Sequence, residues 1–209
     1  MAKITLYKND LPKGLVLGKL VAIDTESMGL RTPRDRLCLV QLTGGDGKAF
    51  IVHFPAGSKY AAPNLKKMLE DPSVQKIFHY ARADVRALAQ WIGARTANVY
   101  CTKIASRIAR TYSPSHGLKS ICSALLGLDI SKDEQTSDWG SADLSQAQLA
   151  YAVADVMHLH ELKEKLDAIL RREGREQIAA AAFSMIPGRM ELDLAGYGYD
   201  IFAHGDTRE

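Results

Sequence analysis

Asp24 and Glu26 close an apolar run, Leu20 to Ile23, that reads as a buried strand. Side chains alternate along a strand, so the two carboxylates project from one face. Side by side they repel, and desolvating either is costly unless a cation joins them. Mg²⁺ and Mn²⁺ are hard ions that take oxygen ligands. A strand ending in Asp-x-Glu is therefore half of a cradle for a divalent metal. Two further carboxylates could complete it. Asp84 opens a helix after the strand-like run Lys76 to Tyr80, and Asp155 lies in the apolar helical stretch Ala150 to Met157. Tyr151 stands four residues before Asp155 and shares its helical face. Its hydroxyl could hold a water beside a metal bound by Asp155. Each residue also has a plainer reading: a helix cap for Asp84, a paired core charge for Asp155, a surface turn for Asp24 and Glu26. The joint order and spacing favour the metal site.

Other residues could meet an anionic chain. Lys103, Arg107 and Arg110 share a helical face by i, i+4, i+7 spacing, and Lys119 follows nearby. They read either as phosphate contacts or as a solvated face. Arg31, Arg34 and Arg36 crowd the loop after Leu30. Strand alternation puts His79 beside the site, as a hydrogen-bonding neighbour or a core histidine. Thr25, between the two carboxylates, joins the residues expected to touch substrate. His158 and His160 face away from Asp155 on a helix, and nothing pairs with them at zinc-ligand spacing.

The elements that must position these groups follow from the apolar pattern. Strand-like runs span Ile4–Tyr7, Leu20–Glu26, Arg36–Thr43 and Lys48–Phe54, the last two joined through Gly44–Gly47 as a hairpin. Helix and strand then alternate: helix Pro63–Glu70, strand Val74–Tyr80, helix Ala83–Ile92, strand Asn98–Cys101, and helices Lys103–Tyr112 and Gly117–Leu126. Ser145 and Gln148 form a capping box that opens a long helix toward Arg172. A further helix, Arg175–Met185, is stopped by Pro187. The tail from Leu192 carries Tyr197, Tyr199 and Phe202. Strands followed by alternating helices predict an α/β fold, a mixed sheet flanked by helices.

A chain of 209 residues suits one domain, 1–209, and a net charge of +3 permits an anionic substrate without demanding one. Cys38, Cys101 and Cys122 are odd in number, lack a CxxC spacing and lie in apolar patterns, so reduced thiols and a cytoplasmic location are expected. No signal peptide or membrane-length apolar run is apparent, so no membrane partner is expected.

The pattern Asp24-x-Glu26, Asp84, Tyr151-x-x-x-Asp155 resembles the DEDDy 3′–5′ exonucleases, which implies a ribonuclease H-like (DnaQ-like exonuclease) fold. Ser137-Asp-Trp139 and the run from Leu149 to Val156 are similar to ribonuclease D. A narrower likeness, to the nano-RNase C family of short bacterial enzymes, rests on Arg34–Cys38, Cys101–Ser106, Ser131–Trp139 and Asp200–His204. That resemblance implies two Mg²⁺ or Mn²⁺ ions held by Asp24, Glu26, Asp84 and Asp155, and a water oriented by Tyr151. It implies a Leu30 wedge between the last two bases, and hydrolysis of dinucleotides and other short RNA to nucleoside 5′-monophosphates. It also implies a homo-oligomer, an octamer, with the tail 187–209 at an interface. The rival readings are a ribonuclease D-like enzyme acting on longer RNA 3′ ends or on DNA, and a catalytically dead nucleic-acid-binding scaffold.

Overall fold

The apolar runs become one sheet. In the computed structural model, which describes residues 2–29, 34–130 and 137–204, the strands are β1 (Lys3–Lys8), β2 (Leu20–Ser27), β3 (Leu37–Thr43), β4 (Lys48–His53), β5 (Gln75–Phe78) and β6 (Val99–Cys101). Their order is β1-β4-β3-β2-β5-β6. β3 runs antiparallel to β2 and β4, and the remaining pairs are parallel. The β3–β4 turn uses Gly45 and Gly47 at φ of 83° and 78°, where a side chain would be strained. The sheet is therefore mixed, as the alternation predicts.

The helices are α1 (Pro63–Glu70), α2 (Ala81–Ile92), α3 (Thr102–Ala109), α4 (Leu118–Leu126), α5 (Gln146–Met157), α6 (Leu159–Arg172), α7 (Glu176–Ser184) and α8 (Ile186–Leu194). One face of the sheet, with Val21, Ile23, Val40 and Leu42, packs on Leu65, Val85, Leu88 and Met190 from α1, α2 and α8. The opposite face is shared. Leu39 and Ile51 lie under α5 through Leu149, Ala152 and Val153. Ala22 and Ile77 lie under α6 through Leu159, Leu162 and Leu166.

The shared face explains one departure from the sequence reading. The expected single helix to Arg172 is two, jointed at His158, whose φ of −101° and ψ of −3° end α5 and begin α6. The apolar stripes of the two halves serve different parts of the sheet, and one straight helix could not bury both. The capping box is present as read, with Ser145 accepting from the Gln148 N–H and the Gln148 side chain accepting from Ser145. α7 ends at Ser184, ahead of Pro187 as read, and Pro187 then sits in the first turn of a further helix, α8, where its missing N–H costs nothing. α3 stops at Ala109, short of the expected Tyr112. No helix among the described residues is long and apolar enough to cross a membrane.

Lys76 on β5 is fully buried, and its Nζ donates to the carbonyls of Asp71 at 2.6 Å and Val74 at 2.8 Å, closing the turn between α1 and β5. Burial pushes its pKa down to about 8 despite nearby Asp71. The folded state thus releases this proton earlier than the unfolded chain, so stability rises with pH between about 8 and the ordinary lysine value. Wild type should gain on Lys76→Met across that window, by at most about 3 kcal/mol given about 1.4 kcal/mol per pKa unit. Urea titrations at pH 7.5 and 10 measure the difference. Parallel pH profiles for the two proteins would contradict it.

Candidate active site

Alternation on β2 sorts its three polar residues. Asp24 and Glu26 project toward α5, and Thr25 projects toward α2. The carboxylate oxygens of Asp24, Glu26 and Asp155 lie within 4.8 Å of one another. Asp155 reaches them because α5 is anchored on β2 and β3 by its apolar stripe. Asp84 arrives from the other side, in the first turn of α2, and is nearly fully buried. The Thr25 hydroxyl donates to Asp84 Oδ1 at 2.8 Å. The structure therefore joins three carboxylates directly and holds the fourth beside them through Thr25.

The four groups behave electrically as one cluster. Burial, then the charges of Asp84, Glu26 and Asp155, hold the Asp24 carboxyl well above its usual range. Burial, Asp155 and Asp84 push Glu26 up to about 8. Burial raises Asp84 to about 7, with Thr25 opposing the rise and Asp155 adding to it. Such a set binds protons or a cation. All of its donors are oxygens, which suits a hard divalent ion rather than a soft one.

Tyr151 is half-buried on α5, packed beside the core residues under that helix, with its ring tilted against Trp139, centroids 6.1 Å apart. Burial, then Asp155, Glu26 and Asp24, raise its phenol above the ordinary tyrosine value. It stays protonated and offers a hydrogen-bond donor over the cluster. His79 Nδ1 pairs with Thr102 Oγ1 at 2.9 Å, and that hydroxyl in turn donates to the Phe78 carbonyl. A hydroxyl has one proton, so His79 must carry hydrogen on Nδ1 and leave Nε2 an acceptor. Burial and Lys103 lower its pKa to about 4, keeping the ring neutral.

The basic residues divide. Lys103 packs its ammonium 4.4 Å from the Tyr80 ring centroid, and Arg107 is exposed. Arg110 departs from the expected face. It follows the last residue of α3, at φ of −113° and ψ of 57°, and its guanidinium is buried against Ser106 Oγ and the Ser115 carbonyl. Because the helix ends first, Arg110 holds the loop before α4 instead of sharing the outer face. Lys119 pairs with Asp129 at 2.9 Å. Arg36 is likewise turned inward, donating to the carbonyls of Phe54 and Gly140. Leu30 and Arg31 lie outside the described residues. Sequence reading missed His116, whose Nδ1 pairs with Ser106 Oγ at 2.9 Å and whose pKa is lowered by burial and then by Arg110, Arg107 and Lys103. It also missed Gln41, the one amide in β3, a strand buried along its whole length.

Comparison with known proteins agrees with this geometry. Residues 9–171 match the family model described as 3′–5′ exonuclease. The NrnC of Brucella melitensis bound to pGG is 50% identical, superposes with a TM-score of 0.93, and is covered over 100% of its chain by 98% of this one. The same protein with bound Mg²⁺ gives 50% identity and a TM-score of 0.92, over 97% of this chain and 100% of that one. Ribonuclease D of Gluconacetobacter diazotrophicus is 37% identical over 166 residues, 79% of this chain. This chain spans 42% of that relative's length.

The charge cluster makes a stability prediction. Its carboxyls hold protons that the unfolded chain has already released, so metal-free protein should lose stability as pH rises from about 4 to 8. Glu26→Gln removes one repelling charge. In EDTA at pH 8 its Tm should exceed that of wild type by at least about 2 °C, the equivalent of somewhat under 1 kcal/mol at this size. Added Mg²⁺ should raise the wild-type Tm and narrow or reverse the gap. A variant that melts below wild type in EDTA would show that the cluster is not under charge strain.

Proposed function

This chain belongs to the 3′–5′ exonuclease family, and from that premise we propose a metal-dependent exoribonuclease that cuts dinucleotides and other short RNA to nucleoside 5′-monophosphates. The observation that carries the reading is the meeting of Asp24, Glu26 and Asp155 within 4.8 Å, with Asp84 held beside them. These residues would hold two Mg²⁺ or Mn²⁺ ions, which when bound supply an activated water and stabilise charge on the leaving 3′-oxygen.

The remaining roles belong to the chain's own groups. The protonated Tyr151 hydroxyl would hold the attacking water in line with the scissile phosphate. Neutral His79 presents Nε2 as an acceptor, suited to a ribose hydroxyl. Lys103 and Arg107, with His116 nearby, would bind backbone phosphate, and Leu30 would separate the last two bases. Thr25 acts on the site through Asp84. Arg110 and Lys119, engaged with Ser115 and Asp129, are weaker candidates for phosphate.

Three features favour a short substrate. The likeness to NrnC runs nearly end to end, that protein has been captured with pGG, and the net charge of +3 is modest for a long polyanion. The domain 1–209 would act as one unit within a homo-oligomer, an octamer, with the tail 187–209 at an interface. Tyr197 and Phe202 are exposed there, as interface residues would be in a free subunit. The likeness to ribonuclease D over much of the chain favours a second reading, trimming of longer RNA or DNA ends.

Product analysis on labelled RNA and DNA of two to twenty nucleotides decides between them. Dinucleotides should be cut at least as fast as twenty-mers, and a tenfold preference for twenty-mers would favour the second reading. Light scattering should give eight copies; a monomer at micromolar concentration would refute the assembly. Tyr151→Phe should retain Mn²⁺ binding while single-turnover hydrolysis slows about 100-fold, typical for loss of a group acting on the nucleophile. An unchanged rate would make Tyr151 a packing residue.

A further inference from the structure

Gln41 sits in the middle of β3, a strand buried along its whole length, and is itself 0% exposed. Neither its Nε2 nor its Oε1 has a hydrogen-bond partner. A buried amide with nothing to bind is costly, and native proteins rarely keep one without a reason. Its surroundings supply the reason. Across the antiparallel ladder Gln41 stands directly opposite Asp24, and on the other side opposite Ile51. Directly opposed residues project from the same face, close enough to touch. Along β3 the same face carries Leu39, which is apolar, and Thr43, whose hydroxyl already donates to the Lys48 carbonyl. Above lie Leu149, Ala152 and Val153 of α5. In this setting the acidic group directly opposed to the amide is Asp24.

We infer that Gln41 is a positioning residue for Asp24: when a cation is bound, its amide N–H, without a partner in this structure, donates to a carboxylate oxygen of Asp24 and fixes the carboxylate's orientation for the metal. The inference rests on the metal reading of the acidic cluster. An ionised carboxylate has more lone pairs than one cation uses, so an acceptor remains for the amide when the cation is bound. Partners of this kind typically change metal affinity 10- to 100-fold when removed. A glutamine on a buried strand, behind the ligand and away from solvent, can do this without reaching the substrate.

The test compares Gln41→Met, Asp24→Asn and the double variant of the full chain. Mn²⁺ affinity is read by electron paramagnetic resonance, and thermal melting is read in EDTA. Gln41→Met keeps the length of the side chain and removes its polar atoms. It should melt no lower than wild type in EDTA, because an unpaired buried amide is gone, yet bind Mn²⁺ about 10- to 100-fold more weakly. Once Asp24 is Asn, adding Gln41→Met should change Mn²⁺ affinity little, because the amide acts through that carboxylate. Gln41→Leu serves the same comparison if the Met variant does not fold. Unaltered Mn²⁺ affinity in Gln41→Met, or additive losses in the double variant, would overturn the positioning role while leaving the metal site intact. Asp24→Asn binding Mn²⁺ as wild type does would instead overturn the metal reading itself.

Discussion

Like charges brought together out of water are the constraint on which this structure turns. Asp24, Glu26, Asp84 and Asp155 come from three separate elements, and the charges of Asp155, Asp84 and Glu26 raise the proton affinity of their neighbours in the cluster. No local propensity gathers them. The apolar contacts of α2 and α5 with the sheet do, and those contacts must outweigh the repulsion they create. A fold that accepts this cost without a cation is poised to gain stability when one arrives, because a ligand that binds the folded state alone stabilises it. Binding and folding thus draw on the same electrostatic term.

The sheet topology determines how the cluster is divided. β2 lies inside the sheet, between antiparallel β3 and parallel β5, and different helices cover its two faces. Asp24 and Glu26 face α5, which brings Asp155 and Tyr151. Thr25 faces α2, which brings Asp84. Three carboxylates are left to balance one another while the fourth receives a hydroxyl donor. The asymmetry is set by strand alternation alone: a one-residue slip of β2 would exchange the faces and dismantle both halves.

Residues whose role depends on local periodicity were legible in the sequence. Asp24 and Glu26 share a face because strands alternate, Tyr151 and Asp155 because helices turn every 3.6 residues, and Ser145 with Gln148 because a capping box is a local device. Residues whose role depends on where an element ends were not. Arg110 has the right spacing for the face of Lys103 and Arg107, but α3 stops one residue too soon. The joint at His158 carries neither proline nor glycine, and only the two separate surfaces under α5 and α6 reveal why it is there. Gln41 was visible as a lone amide among Leu37–Thr43, but its meaning needed the register that sets it against Asp24. Pairing between strands is a long-range fact, and a single sequence does not contain it in readable form.

The C-terminal segment is tied to α2 by an ion-pair network around one buried carboxylate. α8 packs against α2, and the Asp193 side chain is buried between Arg82 at 2.7 Å and Arg189 at 2.6 Å. Burial alone would raise the Asp193 carboxyl, but the two guanidiniums override it and lower the pKa. The same arginines also donate to the carbonyls of Tyr197, Gly198 and Tyr199, so the backbone of the tail is fixed while its aromatic side chains turn outward. Arg82 lies two residues before Asp84 on α2. Any surface that engages Tyr197 therefore bears, through one ion-pair network centred on buried Asp193, on the helix that carries the fourth carboxylate. Rigid, paired guanidiniums transmit such a contact better than flexible lysines would, because their planar forks fix orientation as well as charge.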